Sequence, residues 1–384
     1  MTPAARLQAA IEILDLIIVG RAAEQALTGW ARTHRFAGSK DRAAIRDHVF
    51  DCMRCKRSFA HLGGAETGRG LVLGLMRATG QEVAEIFTGQ GHAPPPLTPQ
   101  EAAHAPGPMP ENVALDCPDW LAPDLRAALG ADFAPILQRL RIRAPVFLRV
   151  NTARASLQQA CAALARDQID TKPHALAPTA LEVTGNPRKL RQSAAFAEGL
   201  VELQDAASQA VIHALPDPAG LQVLDYCAGG GGKALALAAL GAQVTAHDAN
   251  RARMQDLPAR AARAGAKITL ADTPRGTFDM VVTDVPCSGS GSWRRAPAGK
   301  WGLTRSGLEA LCQTQAGILR DAAPRLRAGG WLCYITCSML QAENGAQIDA
   351  FLAAQPAFRL ILQRQFTPLD GGDGFFLAVM QKAD

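Results

Sequence analysis

Apolar residues recur at helical spacing at Leu7, Ile11, Leu14 and Ile18, and again at Ile45, Val49, Cys52 and Phe59. A helix with one apolar face has this period, so residues 1–92 are expected to form an all-helical domain. The pattern gives way between Pro94 and Pro110, where seven of the chain's 24 prolines fall; residues 93–111 are expected to be a linker. Beyond it, 120–140 and 157–164 read as helices, and 146–150, 181–183 and 201–203 as short strands. Residues 112–203 are therefore expected to form a small α+β domain. From 204 to 384 strands and helices alternate, with strands at 221–226, 243–247, 267–270 and 280–283, another beginning near Trp331, and helices after Lys233 and across 253–263. Repeated strand–helix units predict an α/β domain with a parallel, doubly wound sheet, in which ligands bind outside the carboxyl ends of the strands.

Composition narrows the class of molecule. The chain has 384 residues, 48% of them hydrophobic, enough for two or three domains. No apolar run approaches the length of a membrane span and no signal pattern opens the chain, so a cytoplasmic protein is expected. Nine scattered cysteines do not form a secreted disulfide framework and are expected to be reduced. Cys52 and Cys55 make a Cys-x-x-Cys pair without a second pair to complete a tetrahedral site, so no metal is expected. The charge of +5 mildly favours an anionic partner. Between Arg32 and Arg57 eight basic residues face three acids, either an RNA-facing surface or a solvated helix face. Arg141, Arg143, Arg149, Arg154, Arg188, Lys189 and Arg191 form a second basic group with the same two readings.

Candidate chemistry centres on Val223 to Lys233, an apolar strand followed by Cys227-Ala228-Gly229-Gly230-Gly231-Gly232-Lys233 and an Ala/Leu-rich helix. Glycines there let backbone approach a ligand, and the helix start offers free N–H groups. A phosphate-cradling loop fits badly, because Ala234 stands where Ser or Thr belongs. Gly229, Gly231 and Ala234 with Asp248 fit a relaxed dinucleotide fingerprint, and a tight turn that binds nothing is the plainer alternative. Asp248, Asp272 and Asp284 fall at successive strand ends. Cys287, in Asp284-Val285-Pro286-Cys287, adds a thiol at the strand end of Asp284, and Cys337, in Thr336-Cys337-Ser338, places a second at a further strand end. Thiols beside a nucleotide site suggest covalent chemistry; a disulfide or metal clip is the other reading.

Taken in order, Leu148-Arg149-Val150-Asn151-Thr152, Gln204-Asp205, the Asp225 to Lys233 turn, Asp284-Val285-Pro286-Cys287, Thr336-Cys337-Ser338 with Glu343-Asn344, and Asp373-Gly374-Phe375-Phe376 resemble the RsmB/Sun-type RNA 5-methylcytosine methyltransferases over about residues 112 to 384. The helical N-terminus more faintly resembles their NusB-like RNA-binding domain. The family commonly has Ala-Pro where this chain has Gly229-Gly230. The resemblance implies a Rossmann-like methyltransferase sheet, S-adenosylmethionine as cofactor and a cytosine in RNA, above all 16S ribosomal RNA, as substrate. Transfer RNA is the alternative substrate, and a non-catalytic assembly factor of the same fold the alternative function. A nicotinamide oxidoreductase would leave both cysteine motifs without purpose. Cys337 would be the nucleophile, Cys287 would assist product release, and Asp284 would hold the cytosine edge. Residues 227–233, Asp248, Asp272 and Asp284 would line the cofactor. Arg149, Asn151, Arg294, Arg295 and Lys300 are expected to contact RNA, with Trp293 and Trp301 near the base, and the protein is expected to be a monomer.

Overall fold

A computed structural model describes all 384 residues. They form two compact units, Met1–Arg143 with Trp293–Gly302, and Ala144–Ser292 with Leu303–Asp384. No helix is long and apolar enough to cross a membrane.

The first unit is helical, as its periodicity predicts. Pro3–Ile18, Ser39–Arg54 and Gly68–Ala78 turn Ile13, Leu14, Ile45, Val49, Leu71 and Leu73 into a common core. Lys56–Gly63 crosses Gly68–Ala78 at backbone contact: a Cβ on Gly74 would stand 1.9 Å from the Phe59 carbonyl oxygen. Only glycine fits that crossing.

The proline-rich stretch is not a free linker. Arg69 donates to the carboxylate of Glu101 (2.6 Å) and to the carbonyls of Pro95 and Pro96, while Arg77 donates to the Glu101 carbonyl. One cationic helix thus supplies the donors that proline carbonyls need. Helices Ala122–Leu129 and Phe133–Leu140 also lie in this unit and not with the small sheet. The fully buried Asp116 explains part of this, because it accepts from the Ser58 amide (2.9 Å) and hydroxyl (2.8 Å) and pairs with Arg141 (2.8 Å).

Residues 293–302 cap the helix Ser39–Arg54. Its last carbonyls have no intrahelical partner. Trp301 Nε1 donates to Met53 O (2.7 Å), Lys300 Nζ to Arg54 O (3.2 Å), and Arg54 returns a bond to Arg294 O (2.7 Å). Lys300 is 2% exposed. Burial pulls its pKa down to about 8, against the neighbouring Asp116, Cys55 and Cys117.

The second unit contains two sheets. Strands β1 (Val146–Val150), β2 (Thr171–Pro173), β3 (Ala180–Val183) and β4 (Val201–Leu203) form an antiparallel sheet in the order β2-β3-β1-β4. The larger sheet contains β5 (Gln222–Asp225), β6 (Gln243–Ala246), β7 (Ile268–Leu270), β8 (Phe278–Asp284), β9 (Leu326–Thr336), β10 (Phe358–Phe366) and β11 (Phe375–Lys382). Its order is β10-β11-β9-β8-β5-β6-β7. From β7 to β9 the strands are parallel, as the alternation predicts; β11 runs antiparallel to β9, and β10 to β11. That closing hairpin is not visible in the periodicity, because β11 is apolar on both faces and β10 is an edge strand exposed over most of its length. The strand order reverses at β5, between β6 and β8, so the carboxyl end of β5 opens at a switch point.

Candidate active site

At that switch point β5 ends in Asp225, the chain turns through Tyr226–Gly231, and helix Gly232–Ala239 begins. Gly231 adopts φ +80°, and a Cβ on it would lie 2.1 Å from Leu257 Cδ1. A side chain there would be strained by the backbone conformation and would have to displace Leu257. Asp248, buried at the end of β6, accepts from the Gly229 amide (2.9 Å) and the Asn250 amide (2.9 Å) and pairs with Arg253 (3.3 Å). Asp272 is elsewhere in character: it is exposed and paired with exposed Arg251 at 2.7 Å.

Asp225 is 1% exposed, and neither carboxylate oxygen completes a hydrogen bond of ordinary geometry, although the Cys227 and Ala234 amides lie near. Burial raises its pKa to about 7, helped by Asp284 and opposed by Lys233. Lys233, also buried, bridges to Asp284 Oδ2 at 2.6 Å and lies 5.2 Å from the centre of the Phe375 ring. A glycine cradle, a helix start, a buried diol-type acceptor in Asp248 and an unsatisfied acid fit a polar organic cofactor at this turn.

The two thiols meet because β8 and β9 are parallel neighbours, with Asp284 opposite Ile335. The chain continues from each strand to a cysteine, and Cys287 Sγ lies 3.4 Å from Cys337 Sγ. Two thiols at this distance titrate as a coupled pair. The hydrogen bond from Cys287 pulls the Cys337 pKa down, against burial and Asp284, with Lys233 and the Ser292 hydroxyl adding to the pull. The same bond pushes Cys287 well up, together with burial and the charges of Cys337 and Glu343. Cys227 and Cys333 are pushed up by burial. Of the two thiols, Cys337 is the one drawn towards ionisation.

The sequence singles out Glu343-Asn344 beside the Cys337 motif but does not show that they build a polar frame around both thiols. Glu343, fully buried, accepts from the Ser288 amide (2.7 Å) and hydroxyl, the Ser338 hydroxyl and Gln315 Nε2 (3.0 Å). Asn344 accepts from Thr336 Oγ1 (2.6 Å) and donates to Ser338 O (2.9 Å). The repeated dipeptide Cys287-Ser288 and Cys337-Ser338, with Glu343-Asn344 behind the second, is the linear signal for this frame.

The residues expected to touch RNA need correction. Arg149 and Asn151 are each 4% exposed. Asn151 ties its own loop to Gly199 O (3.0 Å) and Ala264 O (2.8 Å), and burial lowers the Arg149 pKa to about 10, against Glu202. Arg294 and Lys300 are buried as well, Lys300 in a helix cap; Arg295 alone of the five is exposed. A buried cation serves its own fold before it can serve a phosphate.

Comparison with known proteins follows the same lines. Residues 213–381 match the family model of the 16S rRNA methyltransferases RsmB/F, and residues 117–188 match the ferredoxin-like domain of the RsmF/B-like methyltransferases. The ribosomal RNA small subunit methyltransferase B of Salmonella arizonae is 33% identical over 284 residues, 69% of this chain and 66% of that protein, and the Vibrio cholerae protein of the same name is 33% identical over 283 residues. The chain belongs to the RsmB/F family. Its alignments span about two thirds of the length of these curated relatives, 66% and 65%. Among solved structures, PH0851 superimposes over 100% of this RsmB/F chain and 99% of its own with a TM-score of 0.79 at 22% identity. A methyltransferase homologue from Pyrococcus horikoshii covers 71% of this chain and 97% of its own, with a TM-score of 0.63 at 24% identity. At these identities the likeness is one of fold. The sheet order is that of S-adenosylmethionine-dependent methyltransferases, so the expected Rossmann-like sheet and the small α+β domain ahead of it are both present.

Proposed function

We propose that this RsmB/F member methylates carbon 5 of a cytosine in RNA, 16S ribosomal RNA above all, and that S-adenosylmethionine is its cofactor. The observation that carries the reading is the pair of thiols 3.4 Å apart at the ends of adjacent strands, one drawn towards thiolate, on the sheet that also bears the glycine turn. The names and family of its relatives support a ribosomal RNA substrate. The turn from Cys227 to Lys233 would hold the methionine part of the cofactor, Asp248 the ribose hydroxyls and Asp272 the adenine edge. When bound, the cofactor supplies an electrophilic methyl group.

Carbon 5 of cytosine is a poor nucleophile, so the ring must first gain electrons. The Cys337 thiolate adds to carbon 6 and the ring becomes enamine-like, nucleophilic at carbon 5. Asp284, held by Lys233, hydrogen-bonds the cytosine edge as charge develops. Once Cys337 sulfur is bonded to carbon, it no longer places negative charge beside Cys287. The part of the upward push on Cys287 that comes from Cys337 then lapses, while burial and Glu343 remain; Cys287 gives its thiol proton to water and, as the thiolate, removes the carbon 5 proton. Electrons return to the carbon 5–carbon 6 bond and expel Cys337. The helical unit would serve as the RNA-binding domain.

Incubation with methyl-labelled S-adenosylmethionine and small-subunit ribosomal RNA, followed by digestion to nucleosides, tests the reading. Label is expected in 5-methylcytosine. Label confined to transfer RNA would change the substrate, and no label in cytosine of any cellular RNA would end the proposal.

A further inference from the structure

Both cysteines stand next to a serine, and both serines converge on one buried acid. We propose that Glu343 is a positioning residue that fixes Cys337, and not Cys287, as the nucleophilic thiol, by clamping the two cysteine loops together from the Cys287 side. The word nucleophile rests on the methyl-transfer reading; the clamp itself does not.

The geometry is one-sided. Glu343 Oε1 accepts from the Ser288 amide (2.7 Å) and from Gln315 Nε2 (3.0 Å), and Gln315 Nε2 also holds Pro286 O at 3.0 Å. Oε2 accepts from the hydroxyls of Ser288 and Ser338. Three of the four donors therefore belong to, or brace, the segment 286–288, and one belongs to the loop of Cys337. Four donors and no solvent suit a carboxylate, which only accepts. The Cys337 loop is closed independently by Asn344, by Thr336 Oγ1 on the Ser338 amide, and by the Gly291 amide on Cys337 O (2.9 Å). Both backbones are thus fixed with the sulfurs in contact.

The charges facing each sulfur differ accordingly. Cys287 faces Cys337 and Glu343, two negative positions. Cys337 faces Asp284, but also the Lys233 ammonium and the donating hydroxyl of Ser292. Of a coupled pair, the thiol in the less negative surroundings ionises first. Without Glu343 the segment 286–288 would lose its clamp and Cys287 would lose one of the two negative positions beside it.

The test is competitive alkylation with iodoacetamide from pH 6 to 10, without RNA or methyl donor, with peptide mass spectrometry reading Cys287 and Cys337 separately. It reads the thiols whether or not the protein methylates RNA, so failure of the clamp and failure of the methyl-transfer reading are distinguishable. In the unchanged protein Cys337 is expected to react about tenfold or more faster than Cys287 at neutral pH, since thiolate fraction sets the rate. In Glu343→Gln the ratio is expected to fall to about threefold or less, chiefly because Cys287 speeds up as the negative charge beside it is lost. Glu343→Asp, which keeps the charge, is expected to recover most of the ratio. A residue that only filled space would leave the ratio and its pH profile where they were. An unchanged ratio in Glu343→Gln that still melts cooperatively, or a faster Cys287 in the unchanged protein, would overturn the proposal. Should Glu343→Gln fail to fold, Ser288→Ala and Ser338→Ala carry the test: each is expected to cut the ratio at least about threefold by releasing one loop, and no change in either overturns it.

Discussion

The glycine turn and the thiol loops of one sheet each bury an acid, and the two acids live differently. Asp225 is 1% exposed with no completed hydrogen bond, and burial carries its pKa to about 7. Glu343 is 0% exposed and receives four donors from Ser288, Ser338 and Gln315. Burial is equal; the donors are not. A carboxyl whose oxygens are filled by donors is a fixed part of the frame, and one whose nearby amides complete no hydrogen bond is pushed by burial towards keeping its proton. The thiol loops are therefore rigidly specified, while the turn under the proposed cofactor holds a proton close to physiological pH.

The largest effect is expected where the donors are most numerous. Glu343→Ala removes the shared acceptor of two hydroxyls, an amide N–H and a side-chain amide and leaves a cavity among them; Gln315 keeps Pro286 O and the hydroxyls keep each other, but the Ser288 amide loses its acceptor, and an orphaned buried donor costs about 1–3 kcal/mol. With the cavity, urea titration is expected to show a loss of about 5 kcal/mol. A loss below about 1 kcal/mol would erase the contrast with Asp225.

Asp225 gives a smaller effect with a pH signature. Its unfolded carboxyl loses its proton near pH 4, whereas the folded one keeps it to about pH 7. The folded state thus binds the extra proton in this window, so stability falls as pH rises from 4 to 7, by at most roughly 4 kcal/mol. In Asp225→Asn this component is expected to vanish, so that urea midpoints at pH 5 and pH 8 draw together. An unaltered pH slope would mean that Asp225 is ionised and satisfied after all.

Lys300 extends the comparison to a buried cation with one carbonyl partner, and its effect is the smallest. Its folded pKa near 8 lies below that of the unfolded side chain, so the unfolded state binds more protons between pH 8 and 10 and stability rises with pH there. Lys300→Met removes that rise and is expected to change stability at pH 7 by no more than about 1 kcal/mol, since a buried charge exchanged for an apolar side chain of similar volume is near neutral. RNA affinity is expected to be unchanged, measured by filter binding. A marked loss in affinity would return Lys300 to the RNA surface.

How far these features were legible in the sequence follows from whether they are local. The glycine turn, the parallel strands and the acids at their ends show in the linear pattern because a strand, a turn and a helix start are each set by neighbouring residues. The motifs of Cys287 and Cys337 are visible too, but their contact depends on β8 lying beside β9, a matter of sheet order. Helices 122–129 and 133–140, and residues 293–302, join the helical unit through contacts between residues far apart in sequence, such as Asp116 with Ser58 and Trp301 with Met53. No periodicity records those. Arg149, Asn151, Arg294 and Lys300 read as surface residues because polarity is a sequence property and burial is not. The same holds for Asp225 and Glu343, whose side chains look alike until their donors are counted.

The most direct test of the central claim is a denaturing gel of protein incubated with substrate RNA and S-adenosylmethionine, run for the unchanged chain, Cys337→Ala and Cys287→Ala. Cys287→Ala is expected to accumulate a covalent protein–RNA band, because its adduct forms but is not resolved, and Cys337→Ala is expected to give neither adduct nor methylated cytosine. An adduct that persists in Cys337→Ala and is absent from Cys287→Ala would contradict the assignment of the two thiols.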